Sequence, residues 1–170
     1  MFQGETQPGQ INVFQVSDSS TGSVSIQPAV LPVTVAIDIQ PGNSLNSINC
    51  NNKNGVIPVA ILTTDTFDAK IVDHTTVTFE GAGESHIDKK TGRPIRHEED
   101  VDGDGDIDLM FHFRLGDTAL TCSSTQGMLA GSTFADLPIQ GTDSVQMVPR
   151  AIRAAEEMFM TSVFLPMITR

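Results

Sequence analysis

The sequence predicts an all-β protein: an antiparallel β-sandwich, immunoglobulin-like or jelly-roll-like, with an acidic loop between strands and a short C-terminal helix. Several short segments alternate apolar and polar residues, and many of their apolar residues are β-branched. Gly- and Asp-rich turns separate these segments, and only one stretch has a helical period. Closely spaced strands without intervening helices favour antiparallel pairing over βαβ units.

The chain divides into a central domain, residues 32–149, and two extensions. The N-terminal extension, residues 1–31, is polar but contains two alternating runs that predict strands, at residues 11–16 and 23–26. The C-terminal extension, residues 150–170, begins with the helical pattern of residues 150–160. Within the central domain, strands are predicted at residues 33–39, 56–62, 76–79, 107–115 and 145–148. Pro58 indicates that the second of these is an edge strand or that a strand begins there.

Charge and composition exclude several classes of function. The chain has 10 Lys and Arg against 21 Asp and Glu, a net charge of −11. So acidic a chain is a poor candidate for binding nucleic acid or an anionic membrane, and we expect no membrane insertion. It has no Trp or Tyr, the residues that usually stack on sugars, although a glycan bound through a metal ion stays open.

The two cysteines, Cys50 and Cys122, match no zinc-binding spacing. In an oxidising compartment they could form one disulfide that closes a long loop. In the cytosol they would be buried thiols. The sequence does not choose between these alternatives.

An unusually acidic stretch, residues 98–108, contains seven of the 21 acidic residues. Ca²⁺ accepts 6–8 oxygen ligands and relieves the repulsion between carboxylates that point toward one centre. The spacing resembles a calcium loop whose turn glycine is Gly105. Its predicted metal ligands are Asp100, Asp102, Asp104, Asp106 (through its carbonyl) and Asp108.

The helix-loop-helix calcium motif is not matched beyond this point. Its twelfth position, a bidentate Glu, is Phe111, and the residues after the loop alternate as a strand. A calcium loop between two strands is the better interpretation, with the missing ligand supplied by Glu98 or Glu99. We expect the ion to be structural. The alternative is a solvated acidic turn, and Mg²⁺ fits less well because it retains more of its waters.

Catalytic constellations are not apparent. The four histidines, His74, His86, His97 and His112, are dispersed and lack the i, i+4 spacing of a helical metal pair, so each is interpreted as a surface or strand-face residue. His97 could also support the calcium loop from its neighbouring position. No nucleophile elbow, phosphate-binding loop or dinucleotide fingerprint occurs, and we expect no enzymatic activity.

Several segments occur in an order that is similar to a known domain. They are VAIDIQPGN (35–43), NSIN (46–49), GVIPVAIL (55–62), DVDGDGDIDL (100–109), HFR (112–114) and DSV (143–145). This region, residues 32–149, resembles a β-domain of secreted and surface-anchored bacterial and archaeal proteins that often accompanies calcium-binding repeats. The resemblance implies an extracellular or cell-surface location, a calcium-stabilised β-fold and no assigned enzymatic activity. The extensions do not belong to the pattern.

Two functions follow as hypotheses. In the first, residues 11–16 act as a donor strand that pairs with a sheet edge of a neighbouring copy, which would build a head-to-tail, pilus-like filament of structural subunits. The alternative within this hypothesis is that residues 11–16 pair within their own domain. In the second, the chain is a calcium-dependent adhesin or a carbohydrate-binding module of a surface protein.

Overall fold

The computed structural model of the chain describes residues 30–149, and this part consists mainly of β-strands. Within these residues, helical structure is limited to two 3-10 turns, Ala69–Ile71 and Leu115–Asp117. The predicted all-β class is confirmed. The strands predicted at residues 11–16 and 23–26 and the helix predicted at residues 150–160 lie outside the described residues.

The strands form a five-stranded sheet of order β1-β10-β9-β5-β6, a four-stranded sheet of order β2-β4-β8-β7, and a pair, β11-β3. Most neighbours are antiparallel, as predicted, but β1 pairs with β10 and β11 with β3 in parallel. The strands are β1 (Val33–Thr34), β2 (Ile37–Ile39), β3 (Ser47–Asn49), β4 (Val56–Ile61), β5 (Thr78–Phe79), β6 (Ala82–Gly83), β7 (His97–Glu99), β8 (Asp108–Arg114), β9 (Gln126–Ser132), β10 (Pro138–Ser144) and β11 (Gln146–Val148).

The strand predicted at residues 33–39 divides between the two larger sheets. β1 belongs to the five-stranded sheet and β2 to the four-stranded sheet. Between them, Val35 N donates to Gln140 O (2.9 Å), whereas Ala36 O accepts from Leu62 N (3.0 Å). The chain therefore passes from one sheet to the other between two consecutive residues.

Pro58 lies in a central strand, which differs from the predicted edge strand or strand start. β4 has β2 on one side and β8 on the other. Pro58 O accepts from Gln40 N (2.8 Å), and the N and O of one strand residue point to the same side. The missing N–H of Pro58 therefore faces the β2 side, just beyond Ile39, where β2 ends. The ladder to β8 is unaffected.

One apolar core receives side chains from both larger sheets. Successive strand residues project to opposite faces, and every second residue of β4 and β8 enters this core. Phe79 of β5 packs against Phe113 of β8 with ring centroids 5.4 Å apart. The fully buried side chains of the core include Ile39, Ile57, Val59, Ile61, Phe79, Leu109, Phe113, Leu129 and Ile139.

The hairpin of β9 and β10 was not predicted, although its strands are among the longest of the described residues. Both strands contain glycine, and glycine weakens the sequence pattern of a strand. A Cβ at Gly127 would collide with the Phe79 ring, and a Cβ at Gly141 would lie 2.6 Å from Ile37 Cγ2. Glycine is present because the core side chains approach the backbone too closely for any side chain.

Candidate metal centres

The acidic loop connects β7 to β8 as the turn of a hairpin. Glu99 and Asp108 form the last residue pair before the loop. Gly103 and Gly105 have φ angles of 80° and 97°, values that glycine adopts without the steric cost of a Cβ. The two glycines allow the loop to fold its carboxylates inward.

Asp108 is fully buried at the base of the loop. Its Oδ1 accepts a hydrogen bond from Thr63 N (2.8 Å), and its Oδ2 accepts one from Val101 N (2.9 Å). Thr63 Oγ1 in turn donates to Ile107 O (2.7 Å). The Asp108 carboxylate therefore links both ends of the loop to Thr63, two residues after the end of β4.

Asp100, Asp102 and Asp108 each present one carboxylate oxygen to a common point, and these oxygens lie within 4.8 Å of one another. Oxygens bound to one Ca²⁺ at 2.3–2.6 Å lie up to about 5 Å apart, so the three fit a shared cation. Asp100 also accepts hydrogen bonds from Gly103 N (2.8 Å) and Gly105 N (3.2 Å). These bonds hold its carboxylate toward the interior of the loop.

The two other predicted aspartates, Asp104 and Asp106, do not belong to this group of three. Asp104 is exposed, and its Oδ1 accepts from Asp106 N (3.0 Å). Asp106 Oδ1 is buried without a hydrogen-bond partner among the described residues. Desolvation raises the pKa of Asp106, and the carboxylates of Asp104, Asp108 and Asp102 raise it further. Asp106 therefore has one carboxylate oxygen without a hydrogen-bond partner, surrounded by other negatively charged carboxylates.

The two predicted additional ligands point in different directions. Glu99 lies opposite Asp108 in the β7–β8 ladder, and directly opposed residues share one face of a sheet. Glu98 lies opposite Leu109, a core residue, and forms an ion pair with Arg96. Glu99 is therefore the glutamate placed on the side of the aspartate cluster.

Two further carboxylates, which the sequence analysis did not single out, lie beside the loop. Asp38 of β2 and Asp143 of β10 line an open groove of about 560 Å³. Burial raises the pKa of Asp38, and the negative charges of Asp143 and Asp102 add to the rise. Asp143 is held in place because its Oδ2 accepts from Ile39 N (3.0 Å) and Asn46 Nδ2 (2.9 Å). These residues come together because β2 and β10, which belong to different sheets, lie next to each other in the fold.

Three of the four histidines form a cluster that the sequence analysis also missed. Ring nitrogens of His86, His97 and His112 lie within 4.8 Å of one another. Burial lowers the pKa of His112, and the neighbouring His86 and His97 lower it further against the opposing effect of the Glu84 and Glu99 carboxylates. The usable signal was the hairpin itself: once residues 100–107 form its turn, His97 must lie near residues 110–112.

The cysteines form a disulfide, Cys50–Cys122, with Cα atoms 5.2 Å apart. Cys50 is buried next to the end of β3, and Cys122 lies on an exposed turn. The bond closes a sequence separation of 72 residues. It connects the β3–β11 pair to the segment that precedes β9.

Comparisons of the chain with protein-family models, curated proteins and solved structures return no match. The described residues 30–149 contain no helix that is long and apolar enough to cross a membrane.

Proposed function

We propose that the protein is a calcium-stabilised structural subunit without catalytic activity that works outside the cell. The convergence of Asp100, Asp102 and Asp108 on one point carries this proposal. An all-oxygen, all-carboxylate donor set suits a hard cation, and the flexible geometry of a loop suits Ca²⁺ better than Mg²⁺. Bound Ca²⁺ would offset the repulsion within the loop, with Asp104, Asp106 and Glu99 as further oxygen donors.

Two observations support an extracellular or cell-surface location. A disulfide forms and persists in oxidising compartments, and Cys50 and Cys122 are joined in one. Extracellular modules commonly bind Ca²⁺ weakly, at millimolar concentrations that the cytosol does not offer. The resemblance of residues 32–149 to domains of surface-anchored proteins supports the same location.

The finer architecture is part of the proposal. The core shared by the two larger sheets, and the crossing of the chain at residues 35–36, support a two-layer β-sandwich. The immunoglobulin-like or jelly-roll-like type of this sandwich is a prediction from the sequence.

The calcium proposal is tested by titrating the full chain with Ca²⁺ and by thermal unfolding in Ca²⁺ and in chelator. We expect Ca²⁺ at 100 times its dissociation constant to stabilise the wild type by about 2.7 kcal/mol. Asp102→Asn should lose most of this gain, whereas Asp136→Asn, which removes an exposed carboxylate in the turn between β9 and β10, should keep it. Equal melting temperatures of the wild type in Ca²⁺ and chelator would refute the proposal.

Assembly into a head-to-tail filament is the second part of the proposed function. Residues 11–16 are the proposed donor strand, and they lie outside the described residues. β2 and β7 are the outer strands of the four-stranded sheet, and either could accept an added strand. Negative-stain imaging should show fibres for the full chain and dispersed particles after deletion of residues 1–20. Fibres from the truncated chain would exclude donation by residues 11–16.

A calcium-dependent adhesin or carbohydrate-binding module is the second candidate, favoured by the groove beside the acidic loop. Asp38, Asn43, Ser44 and Asp143 line this groove with carboxylate, amide and hydroxyl groups, which suit a polyhydroxylated ligand. A glycan array probed in Ca²⁺ tests this candidate, with Asp38→Asn as the groove variant. Binding that is lost in chelator and in Asp38→Asn would support it, and no binding to any glycan would argue against it.

A further inference from the structure

A cluster of three imidazoles lies on the outer face of the β7–β8 hairpin. His97 is in β7 and lies opposite Met110, and His112 is two residues further along β8. His86 is brought to them by the segment after β6, because Ser85 N donates to His112 O (2.8 Å). The three side chains thus come from three different segments of the chain.

A buried carboxylate holds two of these three segments together. Glu84, which is 7% exposed, accepts hydrogen bonds from His86 N (2.7 Å) through Oε1 and from His112 N (2.8 Å) through Oε2. Both oxygens bind backbone N–H groups, so Glu84 holds the backbones of His86 and His112 close to each other. The cluster is built on a rigid sheet and a clamped loop rather than on free surface side chains.

One distance between ring nitrogens matches the separation of two ligands in a zinc site, and the third nitrogen lies nearby. His86 Nδ1 and His97 Nε2 are 3.4 Å apart. Two imidazole nitrogens bound to one tetrahedral Zn²⁺ at 2.0–2.1 Å are separated by about 3.4 Å. The His86 and His112 rings are stacked with centroids 4.1 Å apart, and all three ligand atoms lie within 4.8 Å of one another. A shared ion requires one of the two stacked rings to rotate, because the lone pair of each nitrogen lies in the plane of its own ring.

His112 has a second property that indicates a ligand. Its Nδ1 is buried and has no hydrogen-bond partner among the described residues. An unsatisfied buried polar atom is costly, so the ring has a binding capacity that the fold does not use. His86 is exposed, so the cluster opens to solvent at that residue.

The donor chemistry separates this cluster from the acidic loop. Imidazole nitrogen suits Zn²⁺, Cu²⁺ and Ni²⁺, whereas carboxylate oxygen suits Ca²⁺ and Mg²⁺. His112 and Asp108 are four residues apart on β8, about 13 Å along the strand, and the largely buried Met110 lies between them.

We propose that His86, His97 and His112 form a binding site for a divalent transition metal of the zinc class, separate from the calcium loop. The three imidazoles supply three ligands, and the fourth position faces solvent on the His86 side, where water or an exogenous ligand can bind. This inference does not depend on the proposed function.

The test is a Zn²⁺ titration of the full chain with Ca²⁺ present in saturating amount, together with the visible absorption spectrum after Co²⁺ addition. We expect one equivalent of Zn²⁺ to bind and Co²⁺ to give the intense bands of tetrahedral coordination. His86→Ala and His97→Gln should each weaken Zn²⁺ binding by at least about 100-fold, because loss of an outer partner alone costs 10–100-fold. His86 is exposed, so its variant is expected to fold, which circular dichroism verifies.

Two control variants make the result specific. His74→Gln changes the histidine outside the cluster, and Asp102→Asn changes the acidic loop. Both should bind Zn²⁺ as the wild type does. The proposal is overturned if the wild type binds no Zn²⁺, if the two cluster variants bind it unchanged, or if Asp102→Asn abolishes the binding.

Discussion

Asp108 and His112 lie on the same face of β8, four residues apart, and each belongs to a different cluster of metal-ligating side chains. Residues at i and i+4 of a strand project to the same side, while Leu109, Phe111 and Phe113 project into the core. One face of β8 therefore contributes to the core, and the other contributes to two clusters, one of carboxylates and one of imidazoles.

Asp108 and Asp102 should respond differently to replacement by Asn. Asp108→Asn places an NH₂ group against Thr63 N–H or Val101 N–H, both of which are donors. We expect it to lower the free energy of unfolding by about 1–3 kcal/mol in chelator, and by more in Ca²⁺, because a proposed ligand of the ion is then lost as well. Asp102→Asn should be destabilising in Ca²⁺ only, because its side chain is exposed. Urea unfolding in both buffers measures the difference. If Asp108→Asn had the same free energy of unfolding as the wild type in chelator, the two hydrogen bonds of Asp108 would not stabilise the fold.

Asp38 should destabilise the calcium-free protein when it is ionised. Its pKa is raised above 3.8 by burial and by Asp143 and Asp102. A carboxyl with a raised folded-state pKa contributes stability below its unfolded pKa, and this contribution is lost as the pH rises through the folded pKa. Asp38→Asn should therefore gain stability relative to the wild type as the pH rises above about 4, where an unperturbed Asp ionises.

The measurement for Asp38→Asn is urea unfolding in chelator at several pH values. Asp136→Asn, which removes one exposed carboxylate in the turn between β9 and β10, is the matched control. If the stability difference between Asp38→Asn and the wild type did not change with pH, ionisation of Asp38 would not destabilise the fold.

The disulfide should contribute substantially to stability. A cross-link across 72 residues restricts the unfolded chain. In the loop-entropy description this stabilises the fold by about 4 kcal/mol. Replacement of both Cys50 and Cys122 by Ala should lower the free energy of unfolding by about 2–5 kcal/mol in denaturant titrations. A reducing agent should have a similar effect on the wild type and none on the double variant, and equal sensitivity of both would contradict the assignment.

Gly127 should not tolerate a side chain, whereas Gly83 should. Both lie in strands of the five-stranded sheet. A Cβ at Gly127 meets the buried Phe79 ring, while a Cβ at Gly83 meets nothing within 4 Å. We expect Gly127→Ala to destabilise by about 1–3 kcal/mol through overpacking, and Gly83→Ala to be neutral or slightly stabilising. Thermal unfolding of the two variants measures this contrast, and similar melting temperatures would show that the Phe79 ring can move aside.

Much of the local structure could be predicted because it depends on short-range patterns. Alternation of side chains identified β2 and β8, β-branched residues supported β2, and a short apolar run identified β4, since all these properties act within a strand. The density of carboxylates and the two glycines identified the loop between β7 and β8. The aspartates that converge, Asp100, Asp102 and Asp108, are all among the predicted ligands.

Other features could not be predicted because a distant contact determines them. The glycine-containing strands β9 and β10 have weak local patterns, and the reason for Gly127 lies in Phe79, 48 positions earlier. Pro58 is accommodated in a central strand because its neighbour β2 ends one residue before the position where an N–H would be needed.

The sequence by itself determined the β class and the acidic loop, because alternation, turn residues and charge density are properties of neighbouring positions. The tertiary structure decided how the clusters are completed. Asp38 and Asp143 are 105 positions apart, and His86 and His112 are 26 apart. Packing between the two larger sheets places the first pair together, and a loop that is hydrogen-bonded to β8 places the second pair together. Spacing along the chain carries no information about such pairs, since the register between strands is set by the burial of the whole core.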